Sequence, residues 1–173
     1  MISERLDKAI REVPNFPKEG INFKDITPLL MDSELTNGII DAFINQLNGI
    51  KLDAIVGIES RGFIFAAPLS LKLGCKFALA RKPGKLPYNT ISEEYELEYG
   101  TDAIEMHKDA IIDGDRVLIV DDLLATGGTA NATGSLVKRL NGKIISYAFV
   151  IELVELNGTG LLDVNSVYSI VKY

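Results

Sequence analysis

The sequence predicts an α/β fold with a mainly parallel central β-sheet flanked by helices. Val117-Leu118-Ile119-Val120 is an unbroken aliphatic run, the pattern of a strand buried on both faces. Residues 53–58 and 143–155 give further apolar strands. Strand, small-residue turn and helical pattern follow one another twice, at residues 53–73 and 117–140, as parallel sheets require.

Taken in order, Ile2, Leu6, Ala9, Ile10 and Val13 recur at helical spacing, and Pro14 ends that helix. Residues 16–28 are too rich in Pro and Gly for a regular element. With Phe16 and Phe23 set among turns, this stretch fits either a lid with an aromatic stacking face or an arm lying on the core. Residues 35–47 form an amphipathic helix with Ile39, Ile40, Phe43, Ile44 and Leu47 on one side. The turn Gly57-Ile58-Glu59-Ser60-Arg61-Gly62 suits a backbone-lined anion pocket with Arg61 as a forked counter-charge, or an ordinary strand-to-helix turn. A helix follows over residues 63–73, kinked at Pro68, and then a strand over 75–80. Residues 81–100 read as the longest irregular segment, with Arg81, Lys82 and Lys85 at its start and Glu93, Glu94, Glu96 and Glu98 later. Loops of that length are functional lids or disordered. Ile104 to His107 alternates as a strand. His107, the single histidine, reads as a partly exposed residue or as a phosphate contact. A last short strand spans residues 166–171.

The organising stretch is Val117 to Thr129. Asp121 and Asp122 sit where open α/β sheets place their ligands, at the carboxyl end of a strand. Thr126-Gly127-Gly128-Thr129 then opens a helix over residues 130–140, so backbone N–H groups and hydroxyls face an anion at a helix N-terminus. A bare phosphate would be repelled by the acids, which suit hydroxyl donors or a hydrated divalent cation. A ligand carrying phosphate, vicinal hydroxyls and Mg²⁺ satisfies both halves. There is no Gly-x-x-x-x-Gly-Lys-[Ser/Thr], so this is not a Walker A loop.

Bulk properties narrow the classes. A chain of 173 residues with 47% hydrophobic and 24% charged content fits one globular domain. A net charge of −6 argues against nucleic acid as the main partner. The lone Cys75 excludes an intrachain disulfide and a multi-Cys zinc site, and fits a reducing compartment. Glu4, Arg5, Asp7 and Lys8 are not those of a secretory leader, and no apolar run reaches membrane-spanning length. The expectation is a cytoplasmic protein with no membrane partner.

Val117 to Thr129 resembles the 5-phosphoribosyl-1-diphosphate (PRPP) motif of the type I phosphoribosyltransferases. Phe16-Pro17-Lys18-Glu19-Gly20-Ile21-Asn22-Phe23-Lys24-Asp25-Ile26-Thr27-Pro28 resembles the base-binding hood of the adenine branch of that family, as does Glu59-Ser60-Arg61-Gly62-Phe63 its pyrophosphate loop. Arg81-Lys82-Pro83-Gly84-Lys85-Leu86-Pro87 and Leu97-Glu98-Tyr99-Gly100 resemble its flexible catalytic loop. The resemblance runs from Val13 to Leu153, four motifs in order.

What it implies is a single type I phosphoribosyltransferase-like domain over residues 1–173, with an arm and hood at 1–34 and a flexible loop at 81–100. The implied reaction is adenine plus PRPP giving AMP and pyrophosphate. Ala125, Thr126, Gly127, Gly128 and Thr129 would hold the 5′-phosphate. Glu59, Ser60, Arg61, Arg81, Lys82, Lys85 and His107 would meet the pyrophosphate. Phe23 would stack on adenine, with the main chain of Asn22 and Lys24 reading its edge and Leu153 bordering it. Catalysis would fall to Arg61, Asp121, Asp122 and Glu98, the last relaying a proton at N7, with Tyr99 in the same loop. No metal is bound directly; Mg²⁺ comes with PRPP. A homodimer is implied. Asn22 and Lys24 depart from the commoner aliphatic residue and Arg of the hood. Ala125 stands where hypoxanthine–guanine enzymes carry an acid, which favours a 6-aminopurine. The rivals are a non-catalytic PRPP-binding purine regulator and a xanthine or guanine phosphoribosyltransferase.

Overall fold

The computed structural model describes residues 1–96, 100–163 and 166–173. Among them, five strands form one parallel sheet in the order β4-β3-β7-β8-β9: β3 Ala54–Ile58, β4 Lys76–Ala80, β7 Arg116–Leu124, β8 Lys143–Glu152 and β9 Val167–Lys172. Every residue of β3 is buried, as a central parallel strand requires.

One face of the sheet carries α1 Ile2–Ala9, α3 Ser33–Leu47 and α4 Gly62–Leu73; the other carries α5 Gly128–Arg139 and the antiparallel hairpin of β5 Thr90–Glu96 with β6 Thr101–His107. Asp32 caps α3 by accepting from the N–H groups of Glu34 and Leu35 at 2.8 and 3.2 Å. That helix buries Leu35, Ile39, Ile40, Phe43 and Leu47, each adding about 1.5–3 kcal/mol of apolar transfer. On β3, Gly57 lets α4 close in, since a Cβ there would lie 2.9 Å from that of Ala66.

Several boundaries differ from the sequence reading. Helix α1 stops at Ala9, because residues 11–14 form β1 (Arg11–Pro14), whose Val13 pairs with Phe23 of β2 (Asn22–Asp25). The hood therefore contains a β-hairpin, followed by the short helix α2 (Thr27–Leu30), where no regular element was expected. The α4 helix runs unbroken through Pro68. Residues 90–96 belong to β5, so the irregular run after Ala80 is shorter than predicted. Strand β7 continues past Val120 to Leu124 because β8 stays paired alongside, Leu124 opposite Glu152. The two acids thus lie inside a paired strand, not after it. Strand β8 ends at Glu152 and gives way to 3₁₀ turns at Val154–Leu156 and Gly158–Leu161.

Candidate active site

Two adjoining cavities open at the carboxyl ends of β3 and β7. The smaller, about 200 Å³, is formed by Leu123, Leu124 and the loop Ala125, Thr126, Gly127, Gly128 and Thr129, with Asp121 at its edge. All the residues expected at the 5′-phosphate line it. Gly127 caps α5 with φ +84°, a conformation glycine adopts without cost. A Cβ there would stand 2.4 Å from the carbonyl oxygen of Gly158, so the cradle is closed from behind by the segment after β8. Sequence reading missed Gly158, which carries no motif.

The larger cavity, about 460 Å³, is lined by Glu59, Ser60, Arg61, Asp121, Asp122 and Leu123. Asp121 lines both cavities and Asp122 only this one, since successive strand side chains point to opposite faces. Gly62 opens α4 against the end of β7; a Cβ there would meet the Val120 oxygen at 2.6 Å. The N-terminus of that helix is thereby held beside Asp121. Arg61 Nε stands 2.9 Å from Asp122 Oδ2, but no N–H among the described residues is aimed along that oxygen's lone pair. The contact is an ion pair with spare acceptor capacity.

Burial raises the pKa of both acids. The neighbouring Asp122 charge pushes Asp121 well above the carboxylate range, while Arg61 pulls Asp122 back. Among the described residues there is no cluster of three or more metal-ligating side chains. Two hard-oxygen acids in a polar cavity have the donor chemistry to meet a hydrated Mg²⁺.

Phe23, on the hood, stands beside Arg61, one of the residues lining this cavity. Its ring lies 5.6 Å from the Arg61 guanidinium and packs edge-on to Phe16 at 5.3 Å. Hood, anion loop and acidic pair therefore meet at Arg61. On the other face of β2, Asn22 donates to Glu12 Oε2 at 3.1 Å and Lys24 donates to Glu12 Oε1. Leu153 is tied to β7 by its N–H donating to the Leu124 oxygen at 2.9 Å.

The basic residues do not converge on an open anion site. Glu59 Oε2 accepts from Arg81 Nε at 3.1 Å and from the Lys82 N–H at 2.9 Å; its Oε1 accepts from Lys85 Nζ at 2.9 Å. Burial raises the Glu59 pKa, but these donors outweigh it and pull the carboxyl down to about 2. Lys82 instead sends its ammonium to Tyr95, at 2.8 Å, and to Asp102 on the β5–β6 hairpin. Asp102 and Tyr95 escaped the sequence reading because the alternation of their hairpin is hidden among acidic residues. His107 lies at the end of β6 with its Nε2 buried and without a hydrogen-bond partner among the described residues, its ring 6.3 Å from that of Tyr88. Glu98 and Tyr99 lie outside the described residues.

Residues 33–171 match the family profile of the phosphoribosyl transferase domain. An adenine phosphoribosyltransferase of Anaeromyxobacter dehalogenans is 55% identical over 164 residues, 95% of each chain. The crystal structure of adenine phosphoribosyltransferase from Thermoanaerobacter pseudethanolicus superposes with a TM-score of 0.95 at 51% identity, covering 99% of both chains. That of Saccharomyces cerevisiae, complexed with an imino-altritol bisphosphate and adenine, gives 0.94 at 43% identity over 98% of both. With identity at this level running the length of one shared fold, the chain belongs to the adenine phosphoribosyltransferases, within the phosphoribosyl transferase domain family.

Proposed function

We propose that the chain transfers the 5-phosphoribosyl group of PRPP to N9 of adenine, releasing pyrophosphate and forming AMP, a purine-salvage reaction. The observation that carries this reading is the meeting at Arg61: the Phe23 ring at 5.6 Å on one side and Asp122 at 2.9 Å on the other. A planar base against Phe23 then lies beside the cavity where a ribosyl diphosphate fits. The yeast relative was crystallised with adenine and a sugar-like bisphosphate, the same two chemical halves.

In this reading, the cradle of residues 125–129 binds the 5′-phosphate through backbone N–H groups and the dipole of α5. The loop of Glu59, Ser60 and Arg61 receives the pyrophosphate, joined by Arg81, Lys82 and Lys85 once their carboxylate partners let go. Asp121 and Asp122 hold ribose hydroxyls, directly or through metal-bound water. Magnesium bound with PRPP supplies positive charge to the leaving pyrophosphate. The anomeric C–O bond breaks first, its electron pair leaving with pyrophosphate, and the acids favour the resulting sugar cation. N9 of adenine, in the tautomer whose ring proton sits on N7, then bonds to that carbon through its lone pair as Glu98 takes the N7 proton. His107 adds a contact to the pyrophosphate, and Tyr99 belongs to the flexible loop.

A homodimer is supported by the open edge of β4, beside which Ile64 and Phe77 expose apolar side chains. The free thiol of Cys75 fits the reducing cytoplasm where PRPP is found. Among the described residues, no helix is long and apolar enough to cross a membrane.

Pyrophosphate release from Mg²⁺ and PRPP, measured in parallel with adenine, hypoxanthine, guanine and xanthine, tests the reading. Release with adenine alone, yielding AMP, is expected. Release with an oxopurine overturns the base assignment, and tight PRPP binding with no release for any base favours a regulator.

A further inference from the structure

With adenine against Phe23 as proposed above, the resemblance implies that the main chain of Asn22 and Lys24, the residues on either side, reads the base edge. Main-chain donors and acceptors are tuned only by where the strand is placed, and a lone two-stranded hairpin is marginally stable by itself. Something must fix the β1–β2 hairpin against the sheet. Lys24 is 8% exposed, a rare setting for an ammonium group. Its Nζ donates to Glu12, directly opposite in β1, and stands 3.7 Å from the centroid of the Tyr173 ring. The Tyr173 hydroxyl donates to Asp7 Oδ1 on α1 at 2.8 Å, which holds the ring in place under the ammonium.

The backbone of Tyr173 does a second job. Its N–H donates to the Glu152 oxygen at 2.9 Å, and its C=O accepts from the Val154 N–H at 2.8 Å. Those two bonds bracket Leu153, the residue expected on the opposite border of the base. Phe23 points to the other face of β2, toward Phe16 and Arg61, so this anchor leaves the stacking surface uncovered.

We infer that Tyr173 is a positioning residue for adenine recognition, its ring anchoring the Lys24 strand while its backbone fixes Leu153. The inference rests on the base assignment proposed above and adds a residue far from it in sequence. A cation–π contact shielded from water is strong enough to hold a hairpin in one place.

The test replaces Tyr173 in the full chain by phenylalanine and by its mono-, di- and trifluorinated forms, with Tyr173→Leu as the end point. Each fluorine draws negative charge off the ring face and nearly preserves its shape. KM for adenine should rise stepwise along the series and about tenfold in Tyr173→Leu, with KM for PRPP and the thermal midpoint of the fluorinated proteins flat. An adenine KM that stays flat across the series overturns the anchor, as does a parallel rise for both substrates. If the unaltered protein releases no pyrophosphate with adenine, the base assignment falls first and the anchor with it. A flat series in an adenine-active protein removes the anchor alone.

Discussion

Arg61, the N-cap residue of α4, places its Nε 2.9 Å from Oδ2 of Asp122, so the anion loop and the acidic strand share one charge pair. Asp122 is 4% exposed, and removing its counter-charge leaves a buried acid with no compensation. Arg61→Met should lower kcat/KM about a hundredfold or more, the scale on which single charge-stabilising donors act. Arg61→Lys should recover only part of it, because an ammonium lacks the planar fork. Steady-state kinetics of both variants check this, and near-equal activity of Met and Lys at position 61 would show that the charge is not used.

Glu59 gives the molecule a distinct acid response. Its carboxyl is held down at about 2 against an ordinary 4.5, so its hydrogen bonds to Arg81, Lys82 and Lys85 stabilise the fold fully above pH 4.5. That stabilisation is lost as pH falls toward 2. Urea unfolding of the native chain and of Glu59→Gln, followed between pH 5 and 2, should show the native chain losing stability faster with acid. Identical slopes would show that the clamp contributes nothing.

Gly127 has φ +84° and faces the Gly158 oxygen at a distance where no Cβ fits. Gly127→Ala should destabilise the fold by about 2 kcal/mol or more and raise KM for PRPP at least tenfold, while KM for adenine stays within about twofold. Calorimetry together with KM for each substrate distinguishes loss of the cradle from general unfolding.

Glu98→Gln should lower turnover roughly tenfold or more through loss of proton relay at N7, with PRPP binding kept. Rapid-quench measurement of the chemical step, beside PRPP titration, checks the assignment; an unchanged chemical rate would remove Glu98 from the mechanism.

The parallel sheet was legible because its strands are continuous apolar runs, and residues 125–129 and 59–61 were legible because they form local motifs at strand ends. What stayed hidden depends on partners distant in sequence. Strand β5 alternates inward Ile91, Glu93 and Tyr95 with exposed Ser92, Glu94 and Glu96, but its acids resemble a solvated loop. Glu93 is met by Arg139 of α5, 2.8 Å away and distant in sequence. Strand β1 needed β2 to exist, and without that pairing Val13 reads as one more turn of helix. The Glu59 clamp was hidden for the same reason: its donors, Arg81 and Lys85, lie on a segment well downstream and meet it only in the fold.

The parallel order of the sheet also governs how the chain is made. Ala54 of β3 pairs with Val117 of β7, so one central strand must wait for another to be synthesised far downstream. At about 5–20 residues per second, that delay lasts roughly 3–12 s. Throughout it, a fully apolar strand has one unsatisfied hydrogen-bonding edge, and the other is covered only once β4 has also been made. The nascent chain is therefore exposed to aggregation midway through translation, before Asp121 and Asp122 have been added to it.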